Sequence, residues 1–228
     1  MKAYHFLQAD MTSSFGREPP WTEGETRKVT GGLILGQWGY HSSPSPEKAL
    51  QLASGPVLCL VEVDSPHPGL SDGEIQCSRR RTLLTAVNVE QELHELACRI
   101  AEDVLPLYEA RFPGDLRPRQ VIVVKRRWLK GEATYEELDA ARNAARNAIR
   151  DAEAAALKVK KKTEAVRAAA SDVVNAAWAA WWAASGVLGN AAEVAGSTAW
   201  RASRGASQEK HERWINETLL AALEAQGQ

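Results

Sequence analysis

The composition of the chain changes abruptly near residue 90, and this change constrains the fold more than any other feature. Before it, short apolar runs are separated by glycine and proline, and after it come long segments rich in alanine and poor in glycine. Roughly a third of residues 140–204 are alanine, the residue with the highest helix propensity. We therefore expect an α+β protein with two domains, a small mixed domain over residues 1–89 and a helical bundle over residues 90–228.

The charge balance and the cysteine content exclude several classes of protein. The chain carries 28 Lys and Arg against 29 Asp and Glu, with 44% hydrophobic residues, which is typical of a globular protein rather than a disordered or strongly cationic one. The three cysteines are widely spaced and the five histidines show no metal-ligand spacing, so we expect neither a disulfide framework nor a metal site. The first residues form no long apolar run, and we expect a cytoplasmic protein without a cofactor.

Strand patterns occur at four places in the first domain: residues 2–7, 32–35, 57–63 and 74–87. The run from Val57 to Val63 is rich in β-branched residues and predicts a buried central strand. A short helix should precede it, with Ser45 as N-cap and Pro46 at the first helical position. In the last of the four strands we expect arginines 79–81 to be partly exposed.

Helix start and stop signals divide the second domain into about four to six helices. The starts are indicated by Asn88 with Gln91, by Asp115, by Thr134 with Glu137, and by Ser207. The stops are indicated by the sequence Pro113-Gly114 and by Gly131, and Pro106 should kink or end the first of these helices.

Tryptophan is concentrated in the alanine-rich part of the chain. Trp178, Trp181 and Trp182 are spaced three and four residues apart, which places them on one face of a helix. With Trp200 they predict a core seam or a face for oligomerisation or partner binding, and a ligand-stacking or membrane role is the alternative. Residues 173–192 are long enough to cross a membrane, but polar residues and glycines interrupt them, so we expect no membrane span.

The sequence contains no catalytic motif of high specificity, such as a P-loop or a nucleophile elbow. The best candidate for a ligand site combines Tyr40, His41 and Ser42, at the end of a strand, with the arginine run Arg79, Arg80 and Arg81. A neutral imidazole both donates and accepts hydrogen bonds, and guanidinium groups bind phosphate. The alternative is that His41 and Ser42 close a turn and that the arginines protect a strand edge.

A basic stripe on the long helical segment raises the possibility of nucleic-acid binding. Arg142, Arg146 and Arg150 are spaced four residues apart, and the lysines of residues 158–162 loosely continue the stripe. Acidic residues intersperse it and the whole chain is slightly acidic, so we favour a solvated helix face and expect no nucleic-acid partner.

Two family resemblances cover nearly the whole chain. The segments Gly39-Tyr40-His41-Ser42-Ser43-Pro44 and Gly55-Pro56-Val57-Leu58-Cys59 are similar to an uncharacterised small domain of bacteriophage and prophage proteins. The segments Ala97-Cys98-Arg99-Ile100-Ala101-Glu102 and Pro113-Gly114-Asp115-Leu116-Arg117-Pro118, followed by alanine-rich helices, resemble the helical putative immunity protein family of bacterial toxin systems. That resemblance implies a protein partner in a bacterial host cell and transfers no catalytic residue.

A third, fold-level similarity concerns the first domain alone. A histidine near a strand end, a short helix and the strand Val57–Val63 are arranged in the order found in ADP-ribosyltransferase-like folds. Such enzymes position NAD with a histidine and often use a glutamate, and here His41 and Glu62 would take these roles.

The sequence therefore predicts a non-enzymatic, phage- or prophage-associated binding protein that recognises a host, toxin or defence component and self-associates or binds a protein partner. One alternative is a nucleotide-ligand sponge or ADP-ribosyltransferase-like enzyme, with a small phosphorylated ligand between Tyr40-His41-Ser42 and the arginine run. Another is a structural component of the virion.

Overall fold

The computed structural model describes residues 1–13, 18–64, 69–158, 163–185, 191–202 and 207–226. The strands are β1 (Lys2–Leu7), β2 (Thr26–Lys28), β3 (Tyr40–Ser42), β4 (Val57–Val63), β5 (Gln76–Ser78) and β6 (Arg80–Asn88). The helices are α1 (Pro46–Leu50), α2 (Glu90–Arg111), α3 (Arg117–Leu129), α4 (Tyr135–Leu157), α5 (Glu164–Ala183), α6 (Ala191–Ala202) and α7 (Gln208–Gln226). A sheet-containing region thus precedes a helical one, which confirms the α+β class.

Four strands form an antiparallel sheet in the order β1-β4-β6-β2, and β3 pairs with β5 in a second, two-stranded sheet. The predicted central strand is correct, because β4 pairs with β1 on one side and with β6 on the other. Alternate residues of β4, including Cys59, Val61 and Val63, pack with Trp21 and Tyr40 in one apolar core. The prediction of a short helix is also confirmed, since the Ser45 hydroxyl caps α1 by accepting from the backbone of Lys48.

Two predictions for the first domain were wrong. Residues 32–35 form no strand, and only a single bridge joins Ile34 to Trp38 there. The reason is local, because Gly31, Gly36 and Gly39 adopt positive φ and turn the chain repeatedly. Arg81 is not partly exposed: its exposure is 3%, because it lies in β6 on the side that faces the core.

The helical region of the described chain contains six helices, α2 to α7, which agrees with the sequence-based expectation. The capping box of Thr134 and Glu137 is present at the start of α4. Asn88 accepts a hydrogen bond from the backbone of Glu90 at the start of α2. That helix continues through Pro106 to Arg111, so the proline does not end it.

The contacts divide the chain into two compact units. Unit 1 comprises Met1–Glu92, Leu188–Glu193 and Glu212–Gln228, and unit 2 comprises Leu93–Val187 and Val194–His211. Most of the last helix therefore belongs to the unit that contains the sheet. Within unit 1, the backbone N–H of Glu47 in α1 donates to Asn216 Oδ1 in α7 at 3.0 Å. The division into domains at residues 89 and 90 stays a prediction.

Candidate functional site

The polar side chains of His41 and Ser42 in β3 form hydrogen bonds with neighbouring segments of the chain. The backbone N–H of Gly36 donates to His41 Nε2 at 2.8 Å, and Gln76 Nε2 donates to Ser42 Oγ at 3.3 Å. Burial, reinforced by the charge of Arg81, lowers the pKa of His41 below its ordinary value. His41 is therefore a neutral imidazole at pH 7, and its Nε2 acts as a hydrogen-bond acceptor.

The three consecutive arginines point in different directions. Arg79 donates from Nη1 to the carbonyl of Gly31 at 2.8 Å, and Arg80 is exposed. Arg81 is buried and donates from Nη2 to the carbonyl of His41. This follows from the strand geometry of β6, in which successive side chains leave opposite faces. Of the three, only Arg81 lies against the His41 segment.

Glu62 lies on the other face of the sheet from Arg81. It is exposed, whereas its neighbours Val61 and Val63 are buried in the core. Arg81 pairs with Val63 in the register of β4 and β6, so its side chain shares the core face with that residue. The structure thus brings Arg81 to His41 and leaves Glu62 outside this group.

Aromatic rings surround the buried Arg81 guanidinium. Its Cζ lies 5.0 Å from the ring centroid of Tyr40 and 5.6 Å from that of Trp21, and Arg27 Cζ lies 4.1 Å from the same Trp21 centroid. Arg81 forms no ion pair within the described part of the chain. Burial lowers its pKa to about 10. The charge is therefore stabilised mainly by cation–π contacts and one backbone carbonyl.

Two buried donors near this guanidinium, Arg81 Nε and Trp21 Nε1, have no hydrogen-bond partner among the described residues. His5 Nε2 is also unpartnered there, but in a neutral imidazole whose other nitrogen donates to the backbone of His41 it is an acceptor. Burial lowers the pKa of His5, and the charges of Arg81 and His41 add to this effect. We call Arg81, Trp21, Tyr40 and His5 the buried arginine centre. Unpaired buried donors are rare in proteins because each costs free energy, so this centre has an unmet capacity for an acceptor.

A second group of candidate residues lies in unit 2, on α4, α5 and α6. We call it the Trp–Arg face, and it consists of Trp178, Trp181, Trp182, Trp200, Arg142, Arg146, Arg150 and Arg201.

The rings of the Trp–Arg face are layered with guanidinium groups. Trp181 makes edge-to-face contacts with Trp178 and Trp182, with centroids 5.5 and 5.3 Å apart. The Cζ atoms of Arg142 and Arg146 lie 5.6 and 5.0 Å from the centroid of Trp181. These cation–π contacts hold Arg142 and Arg146, two of the three arginines of the predicted basic stripe, against α5.

The third helix extends this layer to an exposed ring. Arg201 of α6 lies 5.3 Å from the centroid of Trp178 and 4.6 Å from that of Trp200. Trp200 is 59% exposed, whereas the three tryptophans of α5 are half-buried. The lysines of residues 160–162, which the sequence placed next to the stripe, lie outside the described residues.

A comparison with protein families matches residues 84–202 to the family described as Imm-5 like putative immunity protein. This segment is more than half of the chain and contains α2 to α6. The chain belongs to this family. Comparisons of the chain with curated proteins and with solved structures found no match.

The family match separates the two candidate regions. Every residue of the Trp–Arg face lies inside the matched segment, residues 84–202. His5, Trp21, Tyr40 and Arg81 lie before it, so the family provides no information about the buried arginine centre.

Several residues that the fold brings to these sites were not predicted from the sequence. His5, Trp21 and Arg27 are far from Arg81 in the chain, and no local motif links them to it. The burial of Arg81 did have a signal, because it precedes the apolar Leu83 by two residues and so shares its face of the strand.

The described part of the chain holds neither a metal-binding cluster nor a helix that could cross a membrane. The described residues contain no group of three or more His, Cys, Asp or Glu side chains that could hold a metal ion. Of the helices in the described ranges, none has the length and apolarity needed to span a bilayer.

Proposed function

We propose that this protein is a non-enzymatic, immunity-like protein that neutralises a bacterial toxin by binding it through the helical region. The family match over residues 84–202 carries the proposal. The cytoplasm of a bacterial cell, with a phage or prophage as the source of the gene, is the setting that we propose for it.

The packing of the helical region supports a role in binding. Alanines on the buried sides of α4 and α5, among them Ala145, Ala148, Ala176 and Ala180, allow the helix axes to approach closely. A helical surface that is already ordered loses little conformational entropy when a partner docks. The region is therefore suited to occlude a toxin as a rigid body.

Co-expression with a toxin tests this function. Bacteria that produce the toxin this chain is proposed to neutralise should grow when the full chain is co-expressed, and the two purified proteins should form a complex in size-exclusion chromatography. A catalytically inactivated toxin serves as the binding partner in the second assay. Failure of the wild-type chain both to protect cells and to form the complex would show that the proposal is wrong.

The substitution His41→Ala tests the non-enzymatic part of the proposal. His41 is the histidine that an ADP-ribosyltransferase-like mechanism would use, and it lies outside the segment matched by the family. We therefore expect His41→Ala to protect cells as well as the wild type does. A loss of protection at an unchanged melting temperature would favour an enzymatic mechanism instead.

A small phosphorylated ligand bound by the first unit is the second candidate function. The buried arginine centre favours it, because a guanidinium without a carboxylate partner and the unpaired indole donor of Trp21 suit an anionic acceptor. Arg81 is buried, so such a ligand would have to be enclosed by the fold. Native mass spectrometry of the gently purified protein would detect a bound ligand, and the fraction of protein that carries it should fall in His41→Ala. A ligand-free spectrum would exclude tight binding.

A further inference from the structure

We infer that the Trp–Arg face is the surface on which the partner docks and that it receives an acidic segment of the toxin. This inference rests on the proposed function and adds to it the location of the interface and the chemistry of the partner. Three features of the face carry it: an exposed ring held in place, a local excess of positive charge, and the arrangement of the remaining rings.

The exposed ring is Trp200. It is 59% exposed, although tryptophan is a side chain that folded proteins usually bury for the most part. Arg201 Cζ lies 4.6 Å from its centroid, which is a cation–π contact. Rigid aromatic rings and arginines are the residues that most often dominate binding energy at protein interfaces. Trp200 therefore has the properties of an anchor that a partner surface would cover.

The positive charge that α4 contributes to the face exceeds the negative charge of the carboxylates that contact it. Asp139 lies 3.8 Å from Arg142, and Glu153 accepts a hydrogen bond from Trp178 at 3.3 Å. Arg146 and Arg150 are exposed and form no ion pair with any residue that the structure describes. A partner with aspartates or glutamates at this position would supply the missing charge and accelerate association.

A second copy of the chain fits this face poorly. In a two-fold symmetric dimer the same patch of both subunits meets, so the exposed charges of Arg146 and Arg150 would face a second patch of the same sign. Like charges that oppose each other across an interface are unfavourable. An acidic partner is therefore a better occupant than the protein itself.

Nucleic acid also carries negative charge, but the three tryptophans of α5 are poorly placed for it. Binding to single strands uses free ring faces on which bases stack. Trp181 already contacts two arginines and the rings of Trp178 and Trp182. The chain as a whole has a formal charge of −1, whereas nucleic-acid-binding domains are typically basic. The observations therefore favour an acidic protein surface.

Charge reversal at two exposed positions tests the inference. The variant Arg146→Glu/Arg150→Glu should raise the Kd for the purified, inactivated toxin by about tenfold or more, mainly through slower association, and this effect should shrink as salt is added. Lys28→Glu/Arg213→Glu is the matched control, because both residues are exposed in unit 1 and the change in net charge is the same. We expect the control to change Kd by less than about threefold.

Removal of the anchor provides a second, independent variant. Trp200→Ala should raise Kd by about tenfold or more through faster dissociation, whereas Trp38→Ala, which removes an exposed tryptophan in unit 1, should have little effect. Circular dichroism and the melting temperature show whether each variant is folded. Because Trp200 is exposed, its loss should leave the fold intact even if the charge reversal disturbs the contacts of Trp181.

The outcomes separate this inference from the proposed function. If the wild type binds the toxin and both sets of variants bind it as tightly, the docking inference is wrong and the proposed function stands. If the wild type does not bind the toxin at all, both are wrong. The inference is also overturned if the face variants abolish binding to a 20-base-pair DNA duplex, or dissociate a dimer seen by light scattering, without changing the affinity for the toxin.

Discussion

At the scale of single residues, the burial of ionisable groups determines how stability responds to pH. His94 in α2 is fully buried, and neither of its ring nitrogens has a hydrogen-bond partner in the described ranges. Burial, with the nearby charge of Lys125, lowers its pKa from 6.5 to about 4. The unfolded state therefore binds a proton at a higher pH than the folded state does. Stability is lost as the pH falls from about 6.5 to about 4, and the loss from this group amounts to about 2 kcal/mol at pH 5.

The substitution His94→Leu isolates this contribution, because leucine has a similar volume and does not titrate. Between pH 7.5 and pH 5, the free energy of unfolding of the wild type should fall by about 2 kcal/mol more than that of the variant. Urea unfolding at the two pH values measures the difference. Equal losses in both proteins would show that His94 is protonated in the folded state at pH 5.

At the scale of elements, the caps of the helices provide a prediction with an internal control. The Thr134 hydroxyl accepts a hydrogen bond from the backbone of Glu137 at 3.2 Å, whereas the N-cap of α5, Thr163, makes no such side-chain bond. Thr134→Ala should therefore lower the free energy of unfolding by about 1 kcal/mol. Thr163→Ala should change it by less than about 0.5 kcal/mol. Chemical denaturation measures both, and equal losses would contradict the assignment of the capping box.

Elements that depend on neighbouring residues were predictable from the sequence, and those that depend on distant residues were not. The cap of Thr134 and the strand Val57–Val63 follow from short patterns. Residues 32–35 have the apolar character of a strand but lack a partner strand. They lie instead among turns at glycines with positive φ. The sequence singled out Tyr40 and Arg81, but it missed His5 and Trp21 for the same reason, because the buried arginine centre assembles from β1, β3, β6 and the segment around Trp21.

The candidate site on the helices was partly accessible to sequence reasoning. Helical spacing placed Trp178, Trp181 and Trp182 together, and the same rule placed Arg142 and Arg146 on one face of α4. Spacing within one helix does not show which helix lies opposite. The contacts of those arginines with Trp181 could therefore be seen only in the structure. They show that the predicted solvated stripe is part of a surface in which arginines lie against tryptophan rings.

At the scale of the whole molecule, the chain order does not coincide with the two compact units. The last helix has Ile215, Leu219 and Leu223 at a spacing of four residues, which shows that one face is buried. This pattern does not indicate what the face packs against. In the structure, residues from Glu212 onward belong to unit 1 with the sheet, although they follow unit 2 in the sequence.

Hydrogen exchange can test this assignment of the last helix. Leu219 in α7 has 0% exposure and belongs to unit 1, and Ile149 in α4 has 1% exposure and belongs to unit 2. Replacing either side chain with alanine removes buried methyl groups and should cost about 2 to 5 kcal/mol. Because local opening follows the contacts of each unit, Leu219→Ala should speed exchange in β1, β4 and β6, whereas Ile149→Ala should speed it in α3 to α5.

The opposite pattern would contradict the assignment of the last helix to the sheet-containing unit. If Leu219→Ala accelerated exchange in α3 to α5 and left the strands protected, the last helix would stabilise unit 2 instead.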